Sequence, residues 1–113
     1  MNREPQDLET SMLEHIQRII HASNAADYDR FTENFNDTLR ARYTRDSFLK
    51  KCETVPMLTR LHQPRELLAV LPRPSGYLAL WKQTSDVFDG VLLGMLELED
   101  TGNGLLISHV AIN

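Results

Sequence analysis

A single cysteine, Cys52, stands among the 113 residues, so no disulfide can close within the chain and no cysteine-rich zinc site can be built. Cys52 reads as a small buried hydrophobe; a reactive thiol beside Lys50 and Lys51 is the alternative. Long apolar runs are missing as well. Nothing approaches the ~18 consecutive apolar residues of a membrane-spanning helix, and Met1 to Glu9 is polar and acidic, unlike a signal peptide. A soluble, cytoplasmic protein without membrane attachment is expected.

Positive charge is also scarce. Twelve Lys and Arg stand against 16 Asp and Glu, a formal charge of −4, which argues against nucleic acid as a partner because such affinity comes largely from basic surface. The cations present gather at Arg40, Arg42, Arg45, Lys50 and Lys51, whereas everything after Lys82 is acidic or neutral. That cluster reads as a solvated helix face, with an anion or an acidic partner as the alternative.

What remains is ordinary globular composition, 42% apolar and 25% charged, in a length that suits one core and one domain, 1–113. From Pro5 to His21 apolar residues recur at Leu8, Met12, Ile16 and Ile19, the spacing of one helical face. Asp27 suits the N-cap of a second helix carrying Tyr28, Phe31, Phe35 and Leu39 on one side. Thr44 suits the N-cap of a third, with Phe48, Leu49 and Cys52, that stops before Pro56; the second and third are either nearly continuous or bent at Arg42 to Thr44.

Beyond Pro56 the vocabulary changes, with Pro64, Pro72, Pro74 and Gly76 separating short apolar runs. Strands are expected at about Glu66 to Leu71, Tyr77 to Thr84, Val91 to Glu99 and Leu105 to Ile112, with Met57 to Leu61 as a weaker fifth. Turn residues at 72–76 and 100–104 predict antiparallel neighbours, and Gly94 suggests a bulge or bend. The fold class is therefore α+β, with N-terminal helices packed on a curved antiparallel sheet of four to five strands.

Alternation along these strands gives no polar face. Val91, Leu93 and Met95 point one way and Leu92, Leu96 and Leu98 the other. The helices can cover one face, so a second copy is expected on the other in a two-fold homodimer; a monomer with a wet, mixed face is the alternative.

Chemistry is sparsely signalled. The four histidines, His15, His21, His62 and His109, show no metal-ligand spacing, and Gly102-Asn103-Gly104 precedes no helix, so neither a metal nor a cofactor is implied. Ser108 and His109 are adjacent in a strand and project oppositely, which excludes a dyad between them. His109 alone, beside Leu105, Ile107 and Ala111, is the candidate catalytic group if it points into a cavity; a hydrogen-bonded core or interface histidine is the simpler account. Tyr28, Phe31, Phe35, Phe48, Tyr77 and Trp81 could surround such a cavity, with Tyr28, Phe31, Tyr77 and Trp81, and His109 beside them, as the candidate ligand-binding residues and plain core packing as the alternative.

The segment Asn24-Ala25-Ala26-Asp27-Tyr28-Asp29-Arg30-Phe31 and the closing strand Leu105-Leu106-Ile107-Ser108-His109-Val110 resemble the nuclear transport factor 2-like superfamily, with its cystatin-like fold. The resemblance implies a cone-shaped cavity between helices and sheet, and dimerisation through the sheet. Its members include isomerases, cyclases and binding modules, so fold alone supports only analogy. With no matched acid and base, the expectation is a dimeric small-molecule or protein-binding module without catalysis. The alternative is a small isomerase-like or SnoaL-like enzyme acting on a hydrophobic substrate, with His109 as general acid or base.

Overall fold

The computed structural model describes residues 5–113. Helices α1 (Pro5–Asn24), α2 (Tyr28–Thr32), α3 (Asp37–Arg42) and α4 (Arg45–Thr54) precede a short 3-10 helix, Pro56–Thr59. Strands β1 (Ala69–Arg73), β2 (Gly76–Gln83), β3 (Leu92–Asp100) and β4 (Leu105–Ile112) follow as an antiparallel meander in the order β1-β2-β3-β4. The α+β architecture, helices then antiparallel sheet, is as the sequence led one to expect. No described helix is long and apolar enough to cross a membrane.

The apolar stripe of α1 does become core: Met12, Ile16, Ile19 and Ile20 are all buried. The helix runs three residues past His21 because tertiary bonds hold its end. Ser23 Oγ donates to the Leu58 carbonyl, and Asn24 exchanges two hydrogen bonds with the Leu61 backbone, at 2.8 and 2.9 Å. The helix then closes with Asp27 N–H on the Ala22 carbonyl at 2.9 Å and Ala26 N–H on the Ser23 carbonyl at 3.0 Å, which places Ala26 at φ 52°. This is the closure glycine usually makes, here carried by alanine.

The second expected helix is in fact two. Asp27 caps α2 as expected, but the chain leaves the helix after Thr32 because β4 competes for its backbone. Ile107 N–H donates to the Asn34 carbonyl at 2.7 Å, and Asn36 N–H donates to the Ile107 carbonyl at 2.9 Å. Asn36 then restarts helix α3 by accepting from Leu39 N–H at 2.8 Å. Phe31, Phe35 and Leu39 remain buried together despite the break. Thr44 caps α4 through Ser47 N–H, and Phe48 and Cys52 of that helix are buried.

The weaker fifth strand does not form. Pro56 opens the 3-10 helix instead, and Leu61 makes only an isolated bridge to Ser85. The bulge also lies elsewhere than Gly94. Glu97 pairs with His109 and Leu98 with Ile107, so Ser108 is the extra residue, and its hydroxyl donates to the Glu97 carbonyl at 3.2 Å. Gly94 serves a different purpose: a Cβ there would lie 2.0 Å from the Trp81 ring, so the missing side chain is the space the indole fills.

The inner sheet face carries Ala79, Trp81, Leu96, Leu98, Ile107 and Val110 into the core. The opposite face presents Leu71, Leu78, Leu80, Leu93 and Met95, with Lys82, Glu97 and His109 among them. No described helix covers it; Leu71 and Leu93 are 44% and 40% exposed.

Candidate functional site

A cavity of about 190 Å³ opens where the helices meet the C-terminal half of β4. Ile19, Ile20 and Ser23 of α1 form its floor, and Phe31 of α2 and Phe48 of α4 one wall. Leu58 and Leu61 close another side, and Val110 to Ile112 the last. Tyr43, Ser47 and Lys51 complete the lining.

The aromatic wall is locked by mutual packing. Phe31 lies 4.7 Å from Phe48, 5.4 Å from Phe35 and 5.9 Å from Tyr43 between ring centroids. Behind it, Tyr28 packs on Phe48 at 5.9 Å, donates its hydroxyl to the Tyr43 carbonyl, and carries the Arg45 guanidinium 4.9 Å above its ring. Arg45 also pairs with Asp29 at 2.7 Å. The turn between α3 and α4 is thereby held against α2.

Burial pushes the Tyr43 phenol above its ordinary value of 10.0, and likewise raises the Cys52 thiol above 9.0. For Tyr43 the fold favours the protonated form. Its contribution to stability is therefore complete below pH about 10 and disappears as pH rises through the elevated folded-state value. Urea midpoints measured from pH 8 to 12 should fall more steeply for the native protein than for Tyr43→Phe; parallel curves would show that Tyr43 ionisation is not coupled to folding.

Of the aromatic residues singled out from the sequence, Phe31 and Phe48 line this cavity, as does Lys51 of the central cation cluster. Tyr28 buttresses the wall from outside it. Trp81 is 1% exposed and is core: its indole N–H donates to Gln83 Oε1 at 2.8 Å, and the Gln83 amide donates to the His62 and Thr84 carbonyls at 2.7 and 2.9 Å. Tyr77 packs against the core, opposite Leu98 in register. His109 does not share a face with Ile107, because the extra residue Ser108 reverses the alternation and turns the imidazole to the exposed face opposite Glu97.

Tyr43, Ser47, Lys51 and Ile112 were not singled out as pocket residues. The trace of them in the sequence is slight: Ser47 and Lys51 are one helical turn apart and flank Phe48, an arrangement also typical of a solvated helix edge.

A second polar cluster joins the loops at 60–62 and 84–86. His62 Nδ1 lies 2.8 Å from Thr84 Oγ1, and Nε2 lies 2.6 Å from Asp86 Oδ1. The order hydroxyl, imidazole, carboxylate is that of nucleophilic catalysis, yet the His62 and Asp86 side chains are 49% and 63% exposed, so nothing excludes water from them. With Asp86 N–H on the Arg60 carbonyl at 3.0 Å and His62 N–H on that of Thr84 at 3.0 Å, the cluster acts as a clamp between two loops.

Compared with protein-family models, with curated proteins and with solved structures, the chain matches none.

Proposed function

We propose that the protein is a non-catalytic binding module that holds a small, largely apolar molecule in the cavity between α1, α2, α4 and β4, and that it works as a homodimer through the outer sheet face. The observation that carries the first half is the cavity itself: its walls are apolar and aromatic, and among the described residues Tyr43 and Lys51 are its only titratable lining groups. Neither is joined to a partner that would make an acid and base pair. Helices followed by a curved antiparallel sheet support placing the chain beside the nuclear transport factor 2-like superfamily.

The dimer is supported by the outer face. Leu71, Leu80, Leu93 and Met95, which keep part of their surface exposed, form an apolar field that a second copy would bury, with Leu78 already buried among them. A two-fold axis crossing the strands at the Leu80–Met95 row sets those residues against their own copies and brings Lys82 over the Leu78–Glu97 row of the other chain. At about 4.8 Å between strands and 3.4 Å per residue, such a face measures roughly 450 Å² per copy. The pair then buries about 900 Å², below the ~1,200 Å² of stable interfaces, so association is weak and concentration-dependent.

Titration of the protein with 1-octanol, followed by amide NMR shifts, tests the pocket. Saturable shifts at Phe31, Phe48 and Val110 are expected, with a dissociation constant of the order of 0.1 mM for so small a ligand. Ile112→Trp, which fills the cavity from β4, should abolish them. Shifts that never saturate, or that survive the plug, would refute a pocket at this position.

A further inference from the structure

The polar rim of the cavity is lopsided in charge. Ser47 and Lys51 lie on successive turns of α4 at its exposed mouth, and the half-buried Tyr43 stands beside them. Among the described residues no carboxylate lines the cavity and none pairs with Lys51. The neighbouring cations are differently employed: Arg45 is bound to Asp29, and Arg40 donates to the Thr32 and Glu33 carbonyls at 3.0 and 3.2 Å. Tyr43 stays protonated at neutral pH and offers an O–H. The Ser23 hydroxyl, deeper in, already donates to the Leu58 carbonyl and has no proton left to give an anion.

One ammonium-bearing and two hydroxyl-bearing side chains in the lining, with apolar walls around them, describe a receptor for a particular kind of molecule. A cation or a zwitterion would meet Lys51 without a counter-charge, and a neutral hydrocarbon would leave the rim donors to water. A dianion would bring one charge more than the rim balances. The apolar part sets the size, since a cavity of about 150 Å³ holds a six-carbon ring and this one is somewhat larger.

Resting on the pocket assignment above, we infer that the site takes amphipathic monoanions, a carboxylate on an alkyl or aryl body of about six to eight carbons, with Lys51 pairing the carboxylate and Ser47 and Tyr43 donating to it. The headgroup sits at the mouth where it keeps part of its hydration. The body lies against Phe31, Phe48 and Ile112.

Octanoate, 1-octanol and octylamine share a chain and differ in headgroup, so titrating each into the protein by amide NMR isolates the charge. Octanoate should bind about fivefold more tightly than 1-octanol at low salt, the scale of a solvent-exposed ion pair. Octylamine should bind more weakly than either. The advantage should shrink as salt rises from 20 to 500 mM and vanish in Lys51→Met, while Lys50→Met, on a side chain outside the lining, should retain it. Equal binding of octanoate and 1-octanol in the native protein, or an octanoate advantage that persists in Lys51→Met, overturns the anion assignment and leaves the pocket standing. Absence of saturable binding by all three removes the pocket itself and this inference with it.

Discussion

Substitution of Gly94 by alanine is expected to lower folding stability by about 3 kcal/mol or more, seen as a large fall in the urea midpoint by far-ultraviolet circular dichroism. The added methyl would stand 2.0, 2.4 and 2.5 Å from three carbons of the Trp81 indole. A flexible side chain could swing aside, but Trp81 is enclosed on all sides and its N–H is tied to Gln83. Gln83 is itself buried and bonded to two carbonyls, so moving the indole would unmake a satisfied polar chain. A double-mutant cycle identifies the cause. Trp81→Leu is destabilising alone, yet in its presence Gly94→Ala should cost little, a coupling of about 3 kcal/mol that accounts for nearly the whole single-substitution effect. Additive effects would place the strain in the backbone of β3 and away from the ring.

The second large effect concerns assembly. Met95→Lys is expected to leave the monomer folded, since Met95 lies outside the buried core cluster, and to abolish the dimer at concentrations where the native protein associates. Near a two-fold axis a single substitution acts twice, placing two ammonium groups face to face in an interface with little affinity to spare. Sedimentation of both proteins between roughly 10 μM and 1 mM, the range in which a weak interface responds, checks this. A native protein that stays monomeric throughout would discard the sheet-face dimer, and a Met95→Lys dimer as tight as the native one would move the interface elsewhere.

The architecture was largely legible because it rests on periodicity. The stripe of α1, the capping residues Asp27 and Thr44, and the position of β4 each follow from local chemistry that tertiary packing reinforces. Where prediction and structure part, a long-range bond decides. Nothing near Glu33 signals that Ile107, more than seventy residues on, will claim the backbone at Asn34 and Asn36 and split the helix. Gly94 and Ser108 illustrate a subtler limit. Glycine in a strand suggests a bulge on conformational grounds, yet here its role is steric, and the extra residue is a serine whose side chain bonds across to Glu97.

The candidate site was less legible for the same reason. Trp81 and Tyr77 share the chemistry of pocket residues, but pairing in the sheet sends Trp81 into the space over Gly94 and Tyr77 opposite Leu98. One unpaired residue at Ser108 is enough to turn His109 outward. Ser47 and Lys51 share one edge of α4 by their spacing, but their meeting with Tyr43 at a cavity depends on how α3 and α4 are arranged around Phe31.

The contact that splits the second helix has a further consequence. By pairing Asn34–Asn36 with Ile107, the chain lays a short strap over the otherwise open flank of β4, and at the other flank β1 presents Pro72, which has no amide hydrogen to offer an incoming strand. Both margins of the sheet are thus poor templates for lateral growth. A chain with so apolar an outer face would otherwise be a natural seed for runaway strand addition; with its margins blunted, the pairing proposed for that face would end at two copies.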